Sequence, residues 1–138
     1  MENIKLFLEF ISEELTDKIK FVVDKKNNKF KLFLGNILVS ESGFNIENKD
    51  KWFEQKYVII HDFKTVEKFK GKGFAKYLLE QIFNYVKYEL KFNIISLIVY
   101  KDNYKALNLY INNGFEIYID YEDSYSLIKK LWNSPDKW

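Results

Sequence analysis

The sequence has 138 residues, of which 47% are hydrophobic and 19% aromatic, so a single folded domain over residues 1–138 is expected. The formal net charge is only +2, with lysines and acidic residues interspersed, and this argues against a nucleic-acid partner. Cysteine is absent and His61 is the only histidine, which excludes a disulfide framework, a thiol nucleophile and a thiolate or multi-histidine metal site.

The N-terminal residues predict an amphipathic helix, and a strand there is only a weak alternative. Apolar residues recur at helical spacing, namely Ile4, Phe7, Leu8, Ile11 and Leu15. The start of the chain lacks the pattern of a signal peptide, and no apolar run approaches membrane-spanning length. A cytoplasmic protein without a membrane partner is expected.

Three β-rich runs come next, at residues 19–24, 30–34 and 37–40. The turn-forming residues 25–28 and Gly35-Asn36 between them predict an antiparallel meander. Residues 41–51 are polar and predict a loop, although Phe44 and Ile46 are compatible with a strand end.

A long strand at residues 57–66 is predicted to lead into the turn Lys70-Gly71-Lys72-Gly73-Phe74-Ala75. Glycines allow the backbone to come close to a ligand, and the free amides of the helix that follows attract anions. The sequence therefore indicates an anion-binding turn, although two glycines alone are equally compatible with a purely steric role.

The second half of the chain alternates between helix and strand. A long amphipathic helix is predicted from Phe74 to Leu90, and the apolar run at 94–100 predicts a central strand covered on both faces. Asn103 is expected to cap a short helix closed by Asn113-Gly114. Further strands are predicted at 115–120 and 125–131, followed by a frayed tail at 133–138.

Two motifs in this order resemble those of the GNAT superfamily of N-acetyltransferases. Residues 70–75 fit the first motif, Gln/Arg-x-x-Gly-x-Gly/Ala, apart from lysine at the first place. The second motif is an Asn, an Ala, a Leu-Tyr pair and a Gly-Phe pair, met by Asn103, Ala106, Leu109, Tyr110, Gly114 and Phe115. The resemblance covers residues 57–120.

The resemblance implies an α/β fold with a mixed, twisted β-sheet flanked by helices, in which a splayed strand pair binds acetyl-CoA. Family members usually place a strand and two helices before their second strand, whereas about eighteen residues precede it here. The wall on the acceptor side is therefore expected to be short. The acceptor site is then open, or a second subunit of a homodimer completes it.

The resemblance also implies which residues bind the cofactor. The glycine turn would hold the pyrophosphate, the end of the preceding strand would bond the pantetheine amides, and Asn103 would contact the cofactor as well as cap its helix. The implied cofactor-binding residues are Thr65, Val66, Lys70, Gly71, Lys72, Gly73, Phe74, Ala75 and Asn103.

Two residues are candidates for catalysis. Tyr110 matches the tyrosine that in many family members protonates the departing thiolate, and the alternative is a packing role. His61 is the candidate base, directly or through water, because imidazole titrates near neutral pH, and the alternative is a structural role. A regular strand would place His61 on the same face as Phe63 and Thr65, with Asp62 on the other.

The sequence thus favours an N-acetyltransferase that moves an acetyl group from acetyl-CoA to a primary amine of a small molecule or peptide by direct attack. A non-catalytic acyl-CoA-binding or protein-interaction module on the same fold is the alternative, because Lys70 departs from the first motif. The presence of Tyr110 favours the enzyme.

Overall fold

The computed structural model of the protein describes residues 18–132, so the predicted N-terminal helix and the tail at 133–138 lie outside the described residues. A turn of 3-10 helix at Glu67–Phe69 precedes the first described α-helix, and a π-helical segment at Tyr85–Leu90 continues that helix. In chain order the strands and α-helices are β1 (Ile19–Asp24), β2 (Lys29–Leu34), β3 (Ile37–Glu47), β4 (Tyr57–Thr65), α1 (Phe74–Asn84), β5 (Ile94–Tyr100), α2 (Tyr104–Asn112), β6 (Glu116–Asp120) and β7 (Ser124–Lys130).

The seven strands form one mixed sheet. They hydrogen-bond in the order β1-β2-β3-β4-β5-β7-β6. β4 and β5 run parallel, whereas β1 with β2 and β5 with β7 are antiparallel. The predicted α/β fold class is confirmed.

No helix among residues 18–132 has the length and apolar character needed to cross a membrane.

Contacts between residues divide the described chain into two compact units, each built from two stretches of sequence. The first unit comprises residues 18–44 and 62–82, and the second comprises residues 45–61 and 83–132. β3, β4 and α1 each continue from one unit into the other.

The first unit contains the predicted antiparallel meander of β1, β2 and the start of β3. Its two turns use left-handed residues, Asn28 with φ 53° and Gly35 with φ 63°. The carboxylate of Asp24 accepts hydrogen bonds from the backbone and side chain of Asn27 and pairs with Lys31 at 2.9 Å. These contacts, the bond from the Asn27 side chain first, lower the pKa of Asp24 to about 2.

β3 is longer than the sequence predicted, and the expectation of a loop at 41–51 was wrong for residues 41–47. The ladder to β2 continues through Phe30↔Ser42 and Lys29↔Gly43. Phe44 is buried, and its ring stacks on that of Phe30 with centroids 4.2 Å apart. The burial of this aromatic pair extends the strand through a polar sequence, because packing outweighs local strand propensity.

α1 and the π-helical segment together cover the predicted helix over residues 74–90. Phe74, Leu78, Ile82 and Val86 are buried, as their helical spacing predicted. Lys91 ends the helix in a left-handed conformation, with φ 61°.

The second unit is built on β5, which pairs with β7 over all seven of its residues. β4 joins β5 through Val58↔Ile95 and Ile59↔Ser96, and β4 continues as far as Thr65.

One end of β5 is covered on both faces and the other is not. Tyr57, Ile94 and Ile128 form a buried cluster, against which Phe53 and Ile59 pack. Ile98 and Tyr100 are 63% and 67% exposed. The prediction that both faces of this strand are covered was therefore wrong for the second half of β5. The buried cluster against which Phe53 packs includes only the beginning of the strand.

The connection between β3 and β4 is tied to the second unit by Asp50. Its carboxylate accepts hydrogen bonds from the N–H groups of Trp52 and Phe53 and from the hydroxyl of Tyr57, the last at 2.7 Å. The bond from Tyr57 is the main cause of the lowered pKa of Asp50, and burial and Asp50 raise the pKa of Tyr57. The ring of Phe53 packs edge-on to Tyr57 and stacks on Tyr118.

Candidate functional site

The glycine turn of the first unit has the backbone geometry that an anion site requires. Gly71 and Gly73 have φ angles of 77° and 88°, which are left-handed. The carbonyl of Gly73 accepts the hydrogen bond from the N–H of Tyr77, so Gly73 is the N-cap of α1. The first amides of a helix have no acceptor within it, and glycine has no side chain to cap them. The turn can therefore present amides and the positive end of the helix dipole to a phosphate.

The backbone at Gly71 has open space beside it. A Cβ atom built on Gly71 meets no heavy atom within 4 Å. Phe74 is buried, and its ring packs edge-on to Phe69 at 5.8 Å, which anchors the turn on both sides. The residues present thus fit a phosphate-containing ligand.

Lysines surround the turn, and Lys70 among them is in an ion pair. The ammonium of Lys70 lies 2.8 Å from the carboxylate of Glu67, and the ammonium of Lys68 lies over the ring of Phe69. Lys70 is half-exposed, so its ion pair with Glu67 is expected to exchange readily for a stronger anion.

The two predicted cofactor residues at the end of β4, Thr65 and Val66, direct their backbone groups to different edges of the strand. The N–H of Val66 donates to the carbonyl of Val39 on β3, and the carbonyl of Val66 accepts from the N–H of Phe69. Neighbouring residues of a strand direct their backbone groups to opposite edges. The N–H and carbonyl of Thr65 therefore face the edge of β4 that is turned away from β3.

Ser40 of β3 is a polar contact of this strand end that the sequence prediction did not include. Its hydroxyl donates to the carbonyl of Lys64 at 2.9 Å and lies 3.1 Å from the hydroxyl of Thr65. The signal that could have indicated it is a pair of serines, Ser40 and Ser42, on the inward-facing positions of a strand.

Tyr110 lies in the last turn of α2, in the second unit, and is 7% exposed. Its ring packs edge-on to Phe115 at 5.5 Å, and its carbonyl accepts the N–H groups of Asn113 and Phe115. Burial raises the pKa of the phenol to about 12. The hydroxyl therefore keeps its proton at physiological pH.

Asn103 has the capping role that the sequence predicted. Its side-chain oxygen accepts the N–H of Ala106 at 3.3 Å at the start of α2. The side chain is exposed, so its amide group can also reach a ligand.

His61 is exposed on β4, but the strand is not regular beside it. Asp62 has φ 51°, a left-handed conformation that is rare for a residue other than glycine. The alternation of side chains cannot be carried across such a residue. The expectation that His61, Phe63 and Thr65 share one face of a regular strand was therefore based on a wrong premise.

The predicted site residues fall into two groups. The first unit brings together Thr65, Val66 and the turn from Lys70 to Ala75. The second unit holds His61, Asn103 and Tyr110.

Comparison with known proteins gives a family match and several structural matches. A model described as the acetyltransferase (GNAT) family matches residues 4–115. A segment of 59 residues, 43% of this chain, is 41% identical to the acetyltransferase PseH of Campylobacter jejuni. The matched segment spans 38% of that relative.

Two solved structures illustrate the shared fold. The crystal structure of the N-acetyltransferase PseH from Campylobacter jejuni has a TM-score of 0.58 at 22% identity, over 94% of this chain and 89% of the other. Naa50 of Arabidopsis thaliana, in complex with the bisubstrate analogue CoA-Ac-MVNAL, has a TM-score of 0.60 at 21% identity, over 87% and 82% of the two chains.

Proposed function

The chain belongs to the acetyltransferase (GNAT) family, and from this premise we propose that it moves an acetyl group from acetyl-CoA to a primary amine by direct attack. The observation that carries the proposal is the glycine turn at the start of α1, in which Gly71 and Gly73 are both left-handed and Gly73 is the N-cap residue. Such a turn suits the pyrophosphate of a nucleotide-containing cofactor.

Acetyl-CoA, when bound, supplies the acetyl group as an activated thioester. We assign its pyrophosphate to the amides from Gly71 to Ala75, with Lys70 and Lys72 adding positive charge. Direct transfer needs no covalent enzyme intermediate, which suits a chain without cysteine.

The backbone of Thr65 is the proposed partner of the pantetheine arm. Its N–H and carbonyl face the edge of β4 that is turned away from β3, so an extended arm can bond to them as an added strand would. The N–H of Val66 is already donated to Val39, so we assign Val66 a packing contact with the arm.

Tyr110 is the proposed proton donor to the leaving sulfur. The phenol stays protonated at working pH, so it can donate a hydrogen bond to the sulfur as negative charge develops there. When its proton moves to the thiolate, the phenolate takes up a proton from solvent and the hydroxyl is restored. Asn103 caps the helix that carries Tyr110 and is the proposed polar contact from this unit to the cofactor.

His61 is the proposed base, directly or through one water. Its exposure on β4 lets it exchange protons with solvent, and imidazole is the side chain best suited to deprotonate an ammonium near neutral pH.

A cytoplasmic location and a homodimer that completes the acceptor site stay predictions, to be tested by cell fractionation and by the mass in solution.

The experiment is coenzyme A release measured across arylalkylamines, polyamines, aminoglycosides and peptide N-termini. We expect release that depends on the amine for at least one class, which would also identify the acceptor. Binding of acetyl-CoA without release for any class would favour the non-catalytic acyl-CoA-binding module. Failure to bind acetyl-CoA would overturn both proposals.

A further inference from the structure

Ser40 is a buried hydroxyl on β3 in the first unit. It is 1% exposed, and its register partner on β2 is the fully buried Leu32. A second buried serine, Ser42, lies two residues further along β3 opposite Phe30. A hydroxyl in such surroundings destabilises the fold unless it is hydrogen-bonded, so its partners are informative.

The partners of Ser40 both belong to the end of β4. A serine hydroxyl has one proton, and Ser40 donates it to the carbonyl of Lys64. In the 3.1 Å contact between the two hydroxyls, Thr65 is therefore the donor and Ser40 the acceptor. One side chain of β3 thus holds the backbone of Lys64 and the side chain of Thr65 together.

These bonds determine how the Thr65 backbone is presented. The carbonyl of Lys64 and the N–H of Val66 are both directed to β3, the first by Ser40 and the second by Val39. The N–H and carbonyl of Thr65, between them, are thereby directed to the opposite edge. Thr65 lies three residues beyond the left-handed Asp62, and these bonds to β3 contribute to the orientation of its backbone.

We propose that Ser40 is a positioning residue for the cofactor, which fixes the peptide groups of Thr65 so that they bind the pantetheine arm of acetyl-CoA. The proposal rests on the proposed function. Ser40 itself acts through Lys64 and Thr65 and need not touch the cofactor.

The test compares Ser40→Ala with Ser42→Ala in the full-length chain. Both remove a buried hydroxyl from the same face of β3, but the hydroxyl of Ser42 donates to the carbonyl of its neighbour Gly43. Both variants are expected to lower the thermal unfolding midpoint. Only Ser40→Ala should weaken acetyl-CoA binding, by about fivefold or more in calorimetry, while Ser42→Ala stays within about a factor of two.

A fragment of the cofactor separates positioning from general destabilisation. Adenosine 3′,5′-bisphosphate lacks the pantetheine arm, so its affinity should be the same for the parent and for Ser40→Ala. Equal losses for the fragment and for acetyl-CoA would overturn the proposal, as would equal acetyl-CoA affinities of the Ser40 and Ser42 variants.

A double variant tests whether Ser40 acts through Thr65. Thr65→Val keeps the shape and removes the hydroxyl, and the variant with both changes should lose no more affinity than Ser40→Ala alone. Fully additive losses would contradict a shared role. If the parent chain itself does not bind acetyl-CoA, the proposed function fails, whereas binding that is insensitive to Ser40 defeats only the positioning role.

Discussion

At the scale of single residues, Gly73 has a left-handed backbone and is also the N-cap residue of α1. It has φ 88°, and its carbonyl begins the hydrogen bonding of α1. Gly73→Ala is expected to abolish measurable acetyl-CoA binding in calorimetry, because the methyl group and the shifted backbone both disturb the turn.

A matched variant controls for backbone strain in this experiment. Gly35 has φ 63° in the turn between β2 and β3, which is distant in sequence from the glycine turn at residues 70–75. Gly35→Ala should lower the free energy of unfolding by about 1–2 kcal/mol, as backbone strain at Gly73 would. Equal cofactor affinity in the two folded variants would contradict the assignment of the turn.

Tyr110→Phe keeps the buried ring and removes the proton donor. Turnover is expected to fall by about 10², with little change in acetyl-CoA affinity. Tyr104→Phe is the control, since Tyr104 begins the same helix and is exposed. Steady-state kinetics that show turnover of both variants within about twofold of the parent would assign Tyr110 to packing.

His61→Gln removes the candidate base from an exposed position. At limiting amine the rate of the parent should rise with pH as the base loses its proton, and the variant should lack this rise. The ammonium of the acceptor titrates separately at higher pH. The pH–rate profile measures both, and an unchanged acid limb in the variant would assign proton removal to water or another group.

At the scale of elements, the connection between β3 and β4 depends on one charged group in a mostly aromatic cluster. The folded-state pKa of Asp50 lies below the ordinary value of 3.8, mainly because Tyr57 donates to the carboxylate. A depressed carboxyl pKa contributes stability that is present above the unfolded value and is lost as pH falls through the folded one. Acid should therefore loosen this connection.

Tyr57→Phe tests this acid dependence. The variant should unfold several degrees lower at neutral pH. The difference from the parent should shrink as pH falls below the unfolded value of 3.8 and through the lower folded-state pKa of Asp50. Thermal midpoints across pH measure it. Tyr118→Phe is the control, because the Tyr118 hydroxyl donates to the uncharged carbonyl of Trp52, so its effect should not vary with pH.

At the scale of the whole molecule, the two units share three continuous elements. β3, β4 and α1 each pass from one unit into the other, so unfolding of either unit breaks elements of both. Residues 1–138 are therefore predicted to unfold as a single cooperative domain.

The tryptophans make this prediction measurable. Trp52 and Trp132 belong to the second unit, and Trp138 lies outside the described residues. In a Trp138→Phe variant, fluorescence reports the second unit and far-ultraviolet circular dichroism reports the whole chain. The two urea transitions should coincide, and separated midpoints would show that the units unfold independently.

Much of the fold could be predicted because it depends on residues close in sequence. The left-handed glycines at 71 and 73, the cap at Asn103 and the apolar stripe of α1 all follow from local geometry and periodicity. Of the candidate site, the glycine turn and its following helix were predictable for the same reason.

The features that could not be predicted depend on partners distant in sequence. β3 continues to Glu47 because Phe44 packs on Phe30. Ile98 and Tyr100 are exposed because the buried cluster against which Phe53 packs includes only the start of β5. The left-handed conformation of Asp62 could not be predicted either, because aspartate adopts φ > 0 more often than most residues but its type alone does not show where.

The sequence by itself determined the order of most elements within residues 18–132, the glycine turn before α1 and the family, because these depend on local patterns of glycine, capping and apolar residues. Only the tertiary structure decided which backbone groups at the end of β4 are available. Val66 donates to Val39, and Ser40 bonds to both Lys64 and Thr65. Hydrogen bonds between adjacent strands join residues about twenty-five positions apart, and no local pattern specifies them.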